Sequence, residues 1–492
     1  MIGGSIAALV LLTGAIVAGV MLGSKSGNGG IKRVTFFSNE DYYEDSGFNE
    51  ATYDGSVAWA DTTGENIGIQ TATAGYSDTG EEYIDQFKDM FAKGADIIVS
   101  SGFNVAGIIG TYNYDTGQLV EDEQQLSSEF DNGLYQDKSF ILIDDSDLIA
   151  AGANSHSASI YFESEQSGYL AGLAAGIYSM SVEDPEVDGD NIVGTWGGVI
   201  APTISFLSGF EQGLAYVNSQ EDANVGEHED VLLTNGKTDD NGELQTITPV
   251  KGGTSNDYDW YTDSFDINST DPGGQDAIAR ASNMKDVANV IFPVAGGQTL
   301  LALDTVTGTK TQIIGVDTSV ELAEPGKADD NILGSATKEV ATAAEYSIWY
   351  EDEFVEAYDS QTTVTTPINK LSTDEVQQIM SETNPDSPYA NDEQAWKFAA
   401  QKDGNKDGWN QTVDQQTNIK NVDGEENTGN VFLGTYYNGG VGFTAVTESE
   451  ANDSKIEIAT QAVFGMSVEE FVETAMNNDG NNIEINSKSF QQ

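Results

Sequence analysis

Residues 403–414 carry the spacing of a calcium-binding loop. Asp403, Asn405 and Asp407 offer side-chain oxygens at positions one, three and five, and the backbone carbonyl of Trp409 falls at position seven. Gly408 permits the sharp turn between them, and Asp414 stands at position twelve. Aspartate there is shorter than the usual glutamate, so the expectation is weak, structural Ca2+ binding; a plain acidic turn is the alternative in a chain so rich in Asp, Asn and Gly. Other site chemistry lacks material. There is no cysteine, and His156 and His228 are the only histidines, which removes disulfides, thiolate zinc sites and cysteine nucleophiles and leaves little for a histidine-based triad. No dense Asp cluster of the kind a metal-dependent nucleoside hydrolase uses is evident. The chain reads as a non-enzymatic protein that requires no cofactor.

Those residues sit in a chain of 492, which is too long for one core and predicts two lobes or more. The formal charge of −61 comes from missing bases, since Arg33 and Arg280 are the only arginines among 20 basic residues against 81 acidic ones. Such a surface repels nucleic acid. Concentrated salt would screen the self-repulsion, so a salty habitat is one explanation and an acidic secreted protein at ordinary salt the other.

Met1 to Gly23 holds no charge and is long enough to span a bilayer, while the first basic residues, Lys25, Lys32 and Arg33, come after it. A cleaved secretory signal has the opposite order. Two readings stand for residues 1–24: an uncleaved membrane anchor at the extracellular face, or an apolar helix that bundles with its copies in a filament core. Residues 25–30 read as a Gly/Ser/Asn linker.

The body, from Ile31, alternates short apolar runs with stretches of helical periodicity. The runs are Ile31–Phe37, Ile97–Val99, Phe140–Ile143, Ile192–Val193, Val290–Val294 and Ile313–Val316; the helical stretches include Tyr83–Lys93, Glu165–Tyr178, Phe206–Val217 and Gln275–Ala288. This predicts an α/β protein of parallel sheets with helices on both faces, whose ligands bind at the carboxyl ends of the strands. Residues 114–132 and 234–271 read as polar surface insertions, and the tail 446–492 as one helix, Ser467–Met476, and a polar end.

The order of motifs from about Ile31 to Phe443 resembles the basic membrane protein family, purine-nucleoside-binding lipoproteins of the type I periplasmic-binding fold. Asp45-Ser46-Gly47-Phe48-Asn49 is similar to that family's element at the ligand cleft, and Phe140 to Asp144 to a strand with its terminal Asp. The most specific match is Val193-Gly194-Thr195-Trp196-Gly197-Gly198, then Pro202, then Gly209-Phe210-Glu211-Gln212-Gly213. Thr262-Asp263-Ser264-Phe265-Asp266, Val294-Ala295-Gly296-Gly297, Ile314-Gly315-Val316-Asp317 and Ser335-Ala336-Thr337-Lys338 follow in the family's order. The resemblance implies lobe 1 from residues 31–150 with 293–340, and lobe 2 from 151–292 with 341–445. Family members carry a lipid-modified cysteine, which this chain lacks, and they are shorter.

A nucleoside presents a flat base and a ribose with vicinal hydroxyls, so its cleft needs aromatic platforms and carboxylate acceptors. On the family's pattern Phe48 and Phe265 would sandwich the base and Asn49 would read its edge. Asp144 and Asp317 would accept from ribose hydroxyls, Lys338 would donate to a ribose oxygen, and Gly296 and Gly297 would let backbone approach the ligand. Each has a plainer alternative: the Phe residues as core, the Asp residues as helix caps, Lys338 as a surface lysine.

The function this implies is extracytoplasmic capture of a small solute, a purine nucleoside, between two lobes for delivery to an ABC-type permease, with no nucleic-acid partner. The competing reading from another class is a filament subunit that self-assembles through its N-terminal helices and displays the binding-protein fold outside.

Overall fold

The computed structural model describes residues 33–480 and 483, apart from 39–42, 44–46, 72–80, 114–117, 121–134, 136, 146–149, 151–155, 183–190, 199, 221–229, 252–259, 263–268, 321–330, 402–407, 412–429 and 447–452. The apolar segment 1–24 and the linker 25–30 lie outside these residues. Among the described residues, no helix is long and apolar enough to cross a membrane.

In chain order the strands are β1 (Val34–Ser38), β2 (Ile67–Thr71), β3 (Ile97–Ser101), β4 (Thr111–Asn113), β5 (Gln118–Val120), β6 (Ser139–Ile143), β7 (Ala158–Phe162), β8 (Ile192–Gly198), β9 (Leu232–Thr238), β10 (Leu244–Ile247), β11 (Tyr261–Thr262), β12 (Val290–Val294), β13 (Gln312–Asp317), β14 (Ile332–Lys338), β15 (Asn410–Gln411), β16 (Asn430–Gly434) and β17 (Val441–Ala445). The helices are α1 (Phe48–Thr63), α2 (Glu81–Ala92), α3 (Phe103–Ile109), α4 (Ser164–Ser181), α5 (Ala201–Asn218), α6 (Pro272–Met284), α7 (Gln298–Val306), α8 (Val340–Trp349), α9 (Val355–Ser360), α10 (Thr373–Thr383), α11 (Glu393–Ala399), α12 (Lys455–Phe464) and α13 (Val468–Ala475). A π turn, Tyr350–Phe354, joins α8 to α9.

Two sheets organise the chain. The first has the order β15-β16-β7-β6-β3-β1-β2, and the second β10-β9-β8-β12-β13-β14-β17 with β11 beside β8. Interior pairs are parallel, and antiparallel partners stand only toward the edges, at β15–β16, β9–β10 and β14–β17. The central strands are buried on both faces, which is why β6, with the sequence Ser-Phe-Ile-Leu-Ile, reads as a continuous apolar run rather than an alternating one. This is a two-lobed α/β architecture of largely parallel sheets.

The lobes differ in membership from the division expected above. Residues 293–340 were assigned to lobe 1, yet β13 and β14 pair with each other and, through β12 and β8, complete the second sheet. Residues 341–434 belong largely to the first lobe, where α8, α10 and α11 pack with Val34, Phe36 and Trp59 in one core. β7, expected in lobe 2, is an interior strand of the first sheet. Alternation of strands and helices reveals that parallel sheets form, but a strand's sheet is chosen by long-range pairing that no local pattern records.

The chain passes between lobes three times among the described residues: from β7 into α4, from β14 into α8, and from β16 into β17. These crossings bond to one another. The Glu163 amide donates to the Gly434 carbonyl at 2.9 Å and the Glu339 amide to the Gly440 carbonyl at 3.0 Å. A side chain on Gly440 would collide with the Gly434 backbone, so both strands of the third crossing need glycine. Asn438 ties that crossing together: its Oδ1 accepts from the Thr435 and Gly440 amides at 2.7 and 3.1 Å, and its Nδ2 donates to the Leu433 carbonyl at 2.8 Å.

Within lobe 2, α4 and α5 approach until backbone touches backbone. A Cβ on Gly168 or Gly172 would strike the carbonyls of Phe206 or Phe210, and one on Gly209 or Gly213 those of Glu165 or Tyr169. That contact fixes Phe206, in the second turn of α5, beside the crossing that leads into α4. The region 234–271, expected as a surface insertion, contains most of β9 and all of β10, which extend the second sheet. The tail contributes α12 as well as the expected helix, and Ile456, Ala459, Val463 and Phe471 enter the lobe 2 core.

Candidate functional site

Parallel sheets leave the loops after their strands facing a common crevice. β6 in lobe 1 is followed directly by Asp144, and β13 in lobe 2 ends at Asp317. Both adopt the left-handed conformation, with φ of 63° and 65°, and they are the only described non-glycine residues with positive φ. Such a conformation costs an L-residue about 1–2 kcal/mol, so it persists only where the surroundings impose it. Around Asp144 they do so through Asp145, whose Oδ2 accepts from the Ala150 amide at 2.8 Å and the Ser159 hydroxyl at 2.7 Å. After Asp317, the Val320 amide donates to the Ser335 hydroxyl at 3.0 Å.

Lys338, the last residue of β14, meets both carboxylates. Its Nζ lies 2.8 Å from Asp144 Oδ2 and 3.2 Å from Asp317 Oδ1. It also stands over three rings, 5.6 Å from the centroid of Phe48, 6.0 Å from Phe162 and 4.9 Å from Phe206. Asp144 and Lys338 are 8% and 4% exposed, so the ion pair is buried. Burial alone would lower the lysine's proton affinity, but the two carboxylates outweigh it and hold the ammonium above the usual range. Burial pushes the Asp144 carboxyl up, against the pull of Lys338. With two carboxylates within 3.2 Å of one ammonium, the charged pair is the form the geometry favours.

The structure therefore brings together Phe48, Asp144, Asp317 and Lys338, drawn from four separate stretches of sequence. Phe48 opens α1, and Asn49 follows it, buried, with its Oδ1 accepting from the Ser101 hydroxyl at 3.3 Å where β3 ends. Gly296 and Gly297 lie between β12 and α7. Gly296 has φ of 53° and open space where a Cβ would point, as a ligand-facing turn requires. Behind them the Trp196 indole donates to Gln298 Oε1 at 3.0 Å and fixes the start of α7.

Phe265 lies outside the described residues. Phe162 and Phe206 are not among the cleft residues expected from sequence, although Phe206 opens a periodic stretch. A Phe that is 1% exposed reads as core in any one-dimensional pattern, and both are core as well as cleft.

Of the calcium loop, Asp403, Asn405, Asp407 and Asp414 lie outside the described residues. Trp409 is described, and its carbonyl accepts from the Leu433 amide at 2.8 Å. Residues Asn410–Gln411, inside the expected loop, form β15. Among the described residues no group of three or more His, Cys, Asp or Glu is placed to hold a metal.

Residues 31–228 match the Bmp family, described as ABC transporter substrate-binding protein PnrA-like. Two curated relatives are uncharacterized lipoproteins, one of Mycoplasma genitalium, 26% identical over 292 residues, and one of Mycoplasma pneumoniae, 26% identical over 282 residues. Each match covers 50% of this chain but 46% and 42% of the relative, so the chain spans less than half the length of either. Among solved structures, an ABC transporter solute-binding protein from Aeropyrum pernix is 15% identical with a TM-score of 0.49, over 94% of this chain and 88% of the other.

Proposed function

We propose, supported by the similarity of residues 31–228 to the Bmp family of PnrA-like ABC transporter substrate-binding proteins, that this chain captures a purine nucleoside between its lobes at the outer face of the cell membrane and delivers it to an ABC-type permease. The observation that carries this reading is the convergence of Asp144, Asp317, Lys338 and Phe48 at the lobe boundary. Paired carboxylates suit vicinal hydroxyls, each accepting one charge-assisted hydrogen bond. Phe48 and Phe206 supply apolar faces, from lobe 1 and lobe 2 respectively, on which a flat base can stack. One ammonium against two carboxylates leaves a net negative site, which favours an unphosphorylated nucleoside over a nucleotide. The apolar segment 1–24 would hold the protein to the membrane.

Thermal unfolding of the full chain with and without guanosine, adenosine, inosine, their monophosphates, sugars and amino acids tests the reading. A ligand that binds only the native state raises the melting temperature. The expected outcome is a rise with nucleosides and none with their monophosphates; a rise with sugars or amino acids alone overturns the ligand class.

A further inference from the structure

We propose that Lys338 is a latch that holds the two lobes closed in the absence of ligand. Its ammonium is carried by lobe 2, whereas Asp144, Phe48 and Phe162 belong to lobe 1, so the 2.8 Å bond and two of the three cation–ring contacts all cross the boundary. Asp317 and Phe206 complete the enclosure from lobe 2. Two carboxylates and three aromatic faces make a cage for an organic cation, and the chain fills that cage with its own side chain.

Lys338 also directly precedes the crossing into α8, whose Glu339 amide is bonded to Gly440 in the third crossing. Opening the lobes about these crossings swings Asp144 away from an ammonium that stays with Asp317. A buried, paired charge resists such separation more than an exposed one does. A ligand entering the cleft must therefore share Asp144 with Lys338 or take it over. The latch rests on the two-lobed cleft but not on the identity of the solute.

Because the chain has no cysteine, Asp61→Cys on α1 and Ser282→Cys on α6, both at exposed positions of different lobes, give a clean pair of sites for fluorescent donor and acceptor on the full chain. Without any ligand, energy transfer is expected to fall in Lys338→Met, which keeps most of the side chain's length and loses its charge. It is expected to fall also in Lys338→Ala and to be restored there by n-butylamine but not by n-butanol. Transfer in Lys338→Met equal to that of the labelled parent, or rescue of Lys338→Ala by the alcohol as well as by the amine, overturns the latch. Should the Lys338 variants fail to fold by circular dichroism, Asp144→Asn decides: lost transfer supports the latch and unchanged transfer overturns it. Failure of every nucleoside to shift the melting temperature would leave these readouts untouched, so the two ideas fail separately.

Discussion

Asp144 and Asp317 occupy equivalent places in the two lobes: each stands at the carboxyl end of a parallel strand in the left-handed conformation, and each points a carboxylate at the same Lys338 ammonium. Their shared backbone geometry is a cost that folding alone does not require. The two carboxylates reach one ammonium from opposite sides of the lobe boundary.

Asparagine tolerates the left-handed region about as well as aspartate, so Asp317→Asn should fold normally while losing the acceptor charge. Hydrogen bonds to charged groups contribute roughly 1.5–3 kcal/mol, so nucleoside affinity should drop by about 10- to 100-fold in calorimetric titration, with a melting temperature close to the parent's. Unchanged affinity would remove Asp317 from the ligand's contacts.

The glycine contact between α4 and α5 predicts a sharp positional effect. Gly209→Ala places a methyl against the Glu165 carbonyl and the Tyr169 amide, and overpacking of this kind costs about 1–3 kcal/mol. Gly107→Ala, in α3, meets nothing within 4 Å and should be neutral or mildly stabilising through helix propensity. Thermal melts of the two variants side by side check this.

Glu211 predicts a pH dependence. It is fully buried in α5, and burial pushes its carboxyl up to about 7 even though Oε1 accepts from the Val250 amide at 3.2 Å. The folded state thus keeps this proton up to about 7, whereas the unfolded chain releases it near 4.5. The group's contribution is therefore fully present below pH 4.5 and declines as pH rises through 7, by on the order of 3 kcal/mol. Glu211→Gln should flatten that decline and melt higher than the parent at pH 8, while differing little at pH 4.5. A parallel pair of melting curves across pH would refute the assignment.

The charge of −61 predicts that salt stabilises the fold, because ions screen repulsion among exposed carboxylates. The melting temperature should rise from 0.1 M toward molar NaCl. The Lys338 contact, being buried, should respond far less, so inter-lobe energy transfer at fixed temperature should stay nearly level over the same series.

Some of this was decided by the sequence alone. Apolar runs such as Phe140–Ile143 and Val290–Val294 coincide with β6 and β12, because a strand buried on both faces must be apolar throughout. The periodic stretches Glu165–Tyr178 and Phe206–Val217 lie within α4 and α5, and the ordered motifs named Asp144, Asp317 and Lys338 as residues of one cleft. Tertiary structure decided the rest. β9 and β10 escaped notice because Thr, Asn, Gly, Lys and Gln dominate them, and their place in the sheet comes from the pairing of β9 with β8 and of β10 with β9 rather than from apolar content. The lobe division was misread because the same local pattern fits either sheet. Only the third dimension brings the second-lobe ammonium of Lys338 to the first-lobe carboxylate of Asp144, 194 residues away, since burial of the pair depends on two sheets, three crossings and the close α4–α5 contact acting together.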